Sequence, residues 1–330
     1  MKRSHKILAT VMVVLAGLLF YLNRPARDFP SGTSGAEVNI TITSGENGTE
    51  IANDLAQKGV IKTASTFISL AIRDSRARSI APGVHRISTH IPSRIALLQL
   101  LDQKRVIGLI KVAEGSTLSD VIKQLSSSSE LTHVLNAVAH IAPLLGAHSL
   151  EGEIYPAQYS FPPGTSTVEA LQSMVDKFGS TIESRGLNQN MGAFTPYQVL
   201  TIASMIQIEG DPGDYPKVAR VIYNRLRIGM PLQLNSTVQY AANLRGKIQL
   251  STAATNIDSP YNTYKRLGLP PTPICNPSDL AISAARNPAP GNWLYFITVK
   301  RGDTRFTDSY STFQQWETEY HQNLAKGLFK

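Results

Sequence analysis

With one cysteine, Cys275, the chain cannot close a disulfide on itself, so its stability must come from packed cores. That cysteine fits the cytosol or a cysteine-poor exported protein equally well. Aromatic residues make up only 7% of the chain and the basic residues are scattered, which gives a nucleic-acid surface little support. The seven histidines are dispersed, with no His-x-x-x-His or Cys/His spacing suited to a metal. No phosphate-cradling P-loop and no Gly-x-Ser-x-Gly elbow is present. No cofactor and no metal are expected. Acidic residues are the minority, 24 against 32 basic, for a net charge of +8. Such a surface suits an anionic membrane, an anionic wall polymer or plain water.

Long apolar runs are also scarce, and the exception is at the N-terminus. MKRSHK precedes ILATVMVVLAGLLFYL, an uncharged run near the lower limit for a membrane span. It ends in bulky residues rather than the small ones of a cleavage site, so residues 7–23 are expected to be an uncleaved transmembrane anchor. Lys2, Arg3 and Lys6 place residues 1–6 in the cytoplasm and everything after the anchor outside it. Residues 24–36, rich in Pro, Gly and Ser, read as a linker.

At 330 residues and 42% hydrophobic, the chain has enough material for about two domains with true cores. After the linker, alternating strands give way to helices of 3.6-residue period. VNITITSGENGTEIANDLAQKGVI, GVHRISTHIPSRIALLQLLDQKRVI and GLIKVAEGSTLSDVIKQLSSSSEL each read strand, turn, helix. They predict a small α+β region over residues 37–130, although strand–turn–helix is a common unit. Residues 131–330 then form the larger domain. Helices are predicted over 131–145 and from near Ser166 to Arg185 with Gly186 as the stop. FTPYQVLTIASMIQIEG predicts a helix capped by Thr195 and Gln198, with Pro196 at its first position. A helix over Tyr215–Ile228, a long Pro- and Asn-rich stretch to Pro277, a short helix, the strand NWLYFITV and a final helix complete the reading.

On the Pro196 helix Glu209 shares an apolar face with Ile202, Met205 and Ile206. A carboxyl there loses hydration, which favours its neutral form and suits it to general-acid chemistry. The same spacing also allows a helix-end glutamate that points to solvent or pairs with Lys217 or Arg220.

Longer motifs separate these readings. IASMIQIEG, KVARVIYNRLRIGMPLQLNSTVQY, SPYNTYKRLGLPPTPICNPSDLAISAA, LEGEIYPAQYSF and LYFITVKRGDTRF together resemble the endolytic murein transglycosylase family, the YceG-like proteins. The resemblance implies an α+β protein with an N-terminal transmembrane helix, a LysM-like α+β region and a mixed α/β catalytic domain. It also implies lyase cleavage of the bond between N-acetylmuramic acid and N-acetylglucosamine, leaving a 1,6-anhydro end. The C6 hydroxyl of the substrate is then the nucleophile, so one glutamate can serve as acid and base, where an inverting hydrolase needs a second carboxylate. Partners implied are peptidoglycan glycan strands, the cytoplasmic membrane and peptidoglycan synthases, with no nucleic acid. Glu209 is the candidate catalytic residue; Asn224, Gln233, Asn235, Thr237, Asn262 and Tyr264 are candidate substrate-binding residues. Each also has a plain reading, as cap, brace or turn. Tyr240, Tyr261 and Tyr295 are either sugar-stacking or core residues, and LGLPPTP is a stiff segment suited to a cleft wall. Two positions depart from the family pattern: Gln207 replaces the first Glu of a Glu-x-Glu pair, and Asn235 stands where many relatives have Asp. A catalytically inactive glycan-binding scaffold, and a muramidase using Glu209 with Asp211, Asp214, Glu151 or Glu153, remain alternatives.

Overall fold

The computed structural model describes residues 28–43, 45–146, 148–244 and 255–329. The expected anchor at residues 7–23 lies outside the described residues, among which no helix is long and apolar enough to cross a membrane. The fold is mixed α+β, in two compact units: one ends at Leu109 and takes in Ser160–Pro162, the other holds Ile110–Tyr159 and the chain from Pro163 onward.

The first unit runs β1 (Glu37–Ile42), α1 (Gly48–Gln57), α2 (Ala64–Arg73), β2 (Gly83–Ser88), α3 (Ser93–Leu101) and β3 (Val106–Ile107). β1 alternates as its sequence suggests, burying Ile40 and Ile42 and exposing Asn39 and Thr41. It pairs antiparallel with β2, Glu37 opposite Ser88 through Ile42 opposite Gly83, and β3 adds to the far side of β2. α1 starts at a reciprocal cap between Asn47 and Glu50 and turns Ile51, Ala52 and Leu55 inward. With Phe67, Ile87, Leu97 and Leu100 these form the unit's core.

The chain crosses between the units in β4 (Leu109–Lys111) and β5 (Gln158–Ser160). The third strand–turn–helix segment therefore places its helix, α4 (Leu118–Ser127), in the second unit. There follow α5 (Thr167–Gly179), α6 (Pro196–Glu209), α7 (Tyr215–Arg227), α8 (Asn235–Ala241), α9 (Asp279–Arg286), the hairpin β6 (Tyr295–Lys300) and β7 (Asp303–Thr307), and α10 (Tyr310–Ala325). α6, α7 and α9 pack on one another, and α10 covers the hairpin. α6 starts as expected, with the Thr195 hydroxyl and the Gln198 side chain capping each other's backbone N–H and Pro196 in the first turn. Every residue from Val199 to Ile206 is buried, so α6 is enclosed on all sides and is the axis of the core.

Two predicted helices differ. Over residues 131–145 the structure has one short 3₁₀ turn, Ala137–His140. Asn136 there is left-handed (φ +55°), and Thr132 is extended, exchanging backbone bonds with Thr165 and Thr167. α5 stops at Gly179, not Arg185; the Ser180 and Thr181 hydroxyls turn back onto the carbonyls of Lys177 and Phe178 and compete with the helix.

Candidate active site

The end of α6 is where the core carries a carboxyl. Ile202, Met205 and Ile206 are fully buried, and Glu209 continues their face while keeping a partial opening to solvent. Its Oε1 accepts the backbone N–H of Ser236 at 2.9 Å. The Ser236 hydroxyl is buried beside the same carboxyl but meets no group at full hydrogen-bonding geometry. Burial pushes the Glu209 carboxyl above its ordinary value, while Ser236 and the charge of Arg225 act against that shift.

Arg225, on α7, is the buried cation of this site. Its Nε donates to Leu294 O and its Nη1 to Leu232 O, each at 2.6 Å, and its guanidinium lies 5.5 Å from the Tyr295 ring centroid. The guanidinium is thus clamped by backbone carbonyls at a fixed place near Glu209. The alternative partners are engaged elsewhere. Lys217 faces Asp214 at 3.8 Å, and Arg220 donates to the carbonyls of Ala289 and Pro288.

Ser236 reaches Glu209 because the chain before it is bent. Gln233 is left-handed (φ +49°), an uncommon state for a non-glycine residue, and its N–H bonds Thr263 O at 3.0 Å. The Thr263 hydroxyl receives the Leu234 N–H at 3.0 Å and meets the Thr237 hydroxyl at 2.9 Å, while Thr237 donates to Leu234 O at 2.8 Å. Tyr264, next in the chain, donates to Asn235 Oδ1 at 2.7 Å. Burial and the Glu209 charge together raise the Tyr264 phenol.

The substrate-binding candidates fall into two groups. Gln233 and Asn235 are exposed and Tyr264 is half-buried; Asn235 precedes Ser236, the donor to Glu209, and Tyr264 feels the Glu209 charge. Asn224, Thr237 and Asn262 are buried and hold the fold together. Asn224 Nδ2 donates to the carbonyls of Gly291 and Trp293. Asn262 Nδ2 donates to those of Thr255 and Ile257, and its Oδ1 accepts the Tyr264 N–H. The three tyrosines are also internal in their contacts: Tyr240 with Glu151, Tyr261 with Thr272, Tyr295 with Tyr310 and Phe313.

The other carboxyls are tied to the backbone or lie on the surface. Glu151 accepts from the Leu118 N–H and the Tyr240 hydroxyl, and Glu153 accepts from the N–H groups of Leu144 and Leu145. Asp211 is exposed. Gln207 Oε1 accepts the Ser278 N–H at 2.8 Å, at the N-cap of α9. An amide oxygen does this as well as a carboxylate oxygen, so the departure at 207 leaves the helix contact intact.

Arg225 and Ser236 were not among the sequence candidates. Arg225 is one of several basic residues on α7 and has no local feature that marks it; Ser236 carries no sequence signal, because its backbone N–H makes the contact.

The YceG-like family model matches residues 40–319. The endolytic murein transglycosylase of Bacillus subtilis is 29% identical over 315 residues, spanning 87% of this chain and 86% of that protein. Its counterpart of the same name in Streptococcus pneumoniae is 30% identical over 334 residues, spanning 88% of this chain and 58% of the relative. A yceG-like protein of Listeria monocytogenes, solved by crystallography, superposes with a TM-score of 0.56 at 25% identity, covering 84% of this chain and 98% of that one. By the extent of these matches and the motifs gathered around Glu209, the chain belongs to the YceG-like family.

Proposed function

We propose that this protein is a peptidoglycan lytic transglycosylase that cuts nascent glycan strands within their length, between N-acetylmuramic acid and N-acetylglucosamine. The observation that carries this reading is Glu209: a desolvated carboxyl, partly open to solvent, with one backbone donor on Oε1 and a fixed cation nearby. A carboxyl raised by burial keeps its proton to higher pH than a free one and can protonate the leaving glycosidic oxygen. The C1–O bond breaks as that proton transfers. The C6 hydroxyl of the same muramic acid then bonds to C1, and its proton passes to the Glu209 carboxylate. Atoms balance without water, and Glu209 returns to its acid form. Ser236 and Arg225 stabilise the carboxylate between the two steps. Tyr264 and Asn235, joined by their hydrogen bond, orient the sugar in this reading.

Residues 7–23 anchor the chain in the cytoplasmic membrane with the N-terminus inside. Both units then lie outside the cytoplasm, close to peptidoglycan synthases, and cleavage there ends strand elongation. The first unit, ordered strand–helix–helix–strand with the two strands paired, suits a LysM-like glycan-holding role.

The test is digestion of uncrosslinked peptidoglycan by the full chain in detergent, with mass spectrometry of the new ends. Anhydromuramic ends that vanish in Glu209→Gln are expected. Reducing ends would indicate a muramidase instead, and intact strands with retained binding would indicate a scaffold.

A further inference from the structure

One face of α10 borders the Glu209 site and takes no part in the steps derived above. Ser309 caps the helix, so Tyr310 is held in its first turn. Phe313 and Glu317 follow at i+3 and i+7 and share that face. Two contacts bring the face to the site. The first is a run of rings. The Arg225 guanidinium lies 5.5 Å from the Tyr295 ring centroid, and Tyr295 packs 5.5 Å from Tyr310 and 5.4 Å from Phe313. Tyr310 and Phe313 stack on each other at 6.2 Å. The second contact is electrostatic. The Glu317 charge acts on the Tyr264 phenol, the same group that feels Glu209 and donates to Asn235. Tyr264 therefore stands in the field of both carboxyls.

Tyr295 and Phe313 are half-buried and form a floor. Above them Tyr310 is 55% exposed. Glu317 is exposed and forms no ion pair with a described residue. An open ring beside a carboxylate with unused oxygens is chemistry that recognises a pyranose. The ring covers the apolar C–H side of the sugar, and the carboxylate accepts from hydroxyl and acetamido N–H groups. A stable protein partner would need roughly 800 Å² per side, and one exposed tyrosine supplies about 150–250 Å² at most. A single sugar unit needs no more.

Resting on the transglycosylase reading, we propose that this face of α10 is a further saccharide subsite, at which Tyr310 stacks on one unit of the strand being cut at Glu209 and Glu317 accepts from its polar groups. A strand cut within its length extends beyond the cleaved bond, so a second hold keeps that bond in place at the carboxyl. The unit at α10 is joined to the one at Glu209 and arrives at high effective concentration, so one ring and one acceptor suffice. The subsite selects strands long enough to reach α10 over short fragments.

The experiment uses the full chain in detergent. Binding is measured on Glu209→Gln, which holds strands uncut, with uncrosslinked strands stripped of peptide by an amidase so that only sugar is offered. Adding Tyr310→Ala is expected to weaken binding about tenfold, the loss of one central aromatic contact. Adding Glu317→Ala is expected to weaken it about threefold. Tyr310→Phe keeps the ring and should keep the affinity, which a merely structural role of the hydroxyl would not allow. With Glu209 intact, Tyr310→Ala should raise KM for strand cleavage by a similar factor and hold kcat within about twofold. Stripped strands that bind Tyr310→Ala as tightly as its parent, or a variant that lowers kcat with KM intact, would overturn the proposal. The two readings fail separately. Weaker binding in Tyr310→Ala, with no cleavage by the parent, would keep the subsite and end the transglycosylase reading. Cleavage by the parent, with neither Kd nor KM changed in Tyr310→Ala, would do the reverse.

Discussion

The second unit buries acids in two places, and their surroundings differ. Near the start of the unit Glu151 and Glu153 each have both oxygens engaged, mostly by backbone N–H groups of neighbouring turns. At the end of α6 Glu209 has one backbone donor, a hydroxyl short of good geometry and the field of Arg225. Burial raises both Glu153 and Glu209, so the shift alone does not tell them apart. What does is the use of the lone pairs. A carboxyl that satisfies two amides is part of the frame, and moving a proton on it would break those bonds. A carboxyl held by one oxygen has the other available for a substrate.

Exchanging each acid breaks this comparison from both sides. Glu209→Gln is expected to lower cleavage by about 10²–10⁴-fold with the fold retained, read by product formation beside circular dichroism. It also changes the pH dependence of stability. A folded-state value above the unfolded one means the folded protein holds the extra proton, so stability falls as pH rises from 4.5 through the raised value. The glutamine cannot titrate, so the variant's melting temperature relative to the parent rises across that window.

Glu153→Ala is the converse. It strands the N–H groups of Leu144 and Leu145, for a loss of about 2–4 kcal/mol. Denaturant midpoints measure this, and cleavage at a temperature where the variant stays folded should be close to that of the parent.

How far these differences were readable from sequence depends on the range of the interactions. α6 was legible in full, because Thr195, Pro196, Gln198 and the apolar run act within one helix. Glu209 was legible as a carboxyl on an apolar face for the same reason. Its surroundings were not. Ser236 arrives from 27 residues away, through the left-handed Gln233 and the Thr237–Thr263 contact, and none of these follows a local period. Arg225 is recognisable only once Leu232 and Leu294 close on it. The helix expected over 131–145 failed in the opposite way: its spacing is helical, but Asn136 and the extended pairing of Thr132 override it.

Smaller changes sharpen the picture at Glu209. Ser236→Ala removes the hydroxyl that favours the carboxylate and keeps the backbone bond. The Glu209 value should rise further, moving the alkaline limb of the kcat profile to higher pH with the acid-side rate unchanged. The smallest effect is expected at Gln207. Gln207→Glu keeps an acceptor for Ser278, so cleavage should stay within about twofold, whereas Gln207→Ala loses the bond from the Ser278 N–H and about 1 kcal/mol of stability.

The central claim is that Glu209 serves as both acid and base in the cleavage. Digestion in ¹⁸O-labelled water, with the new ends read by mass spectrometry, tests it most directly. The account predicts anhydro ends free of the label, because the C6 hydroxyl of the substrate closes on C1. Label at the new muramic acid ends would mean that water attacked, and would contradict it.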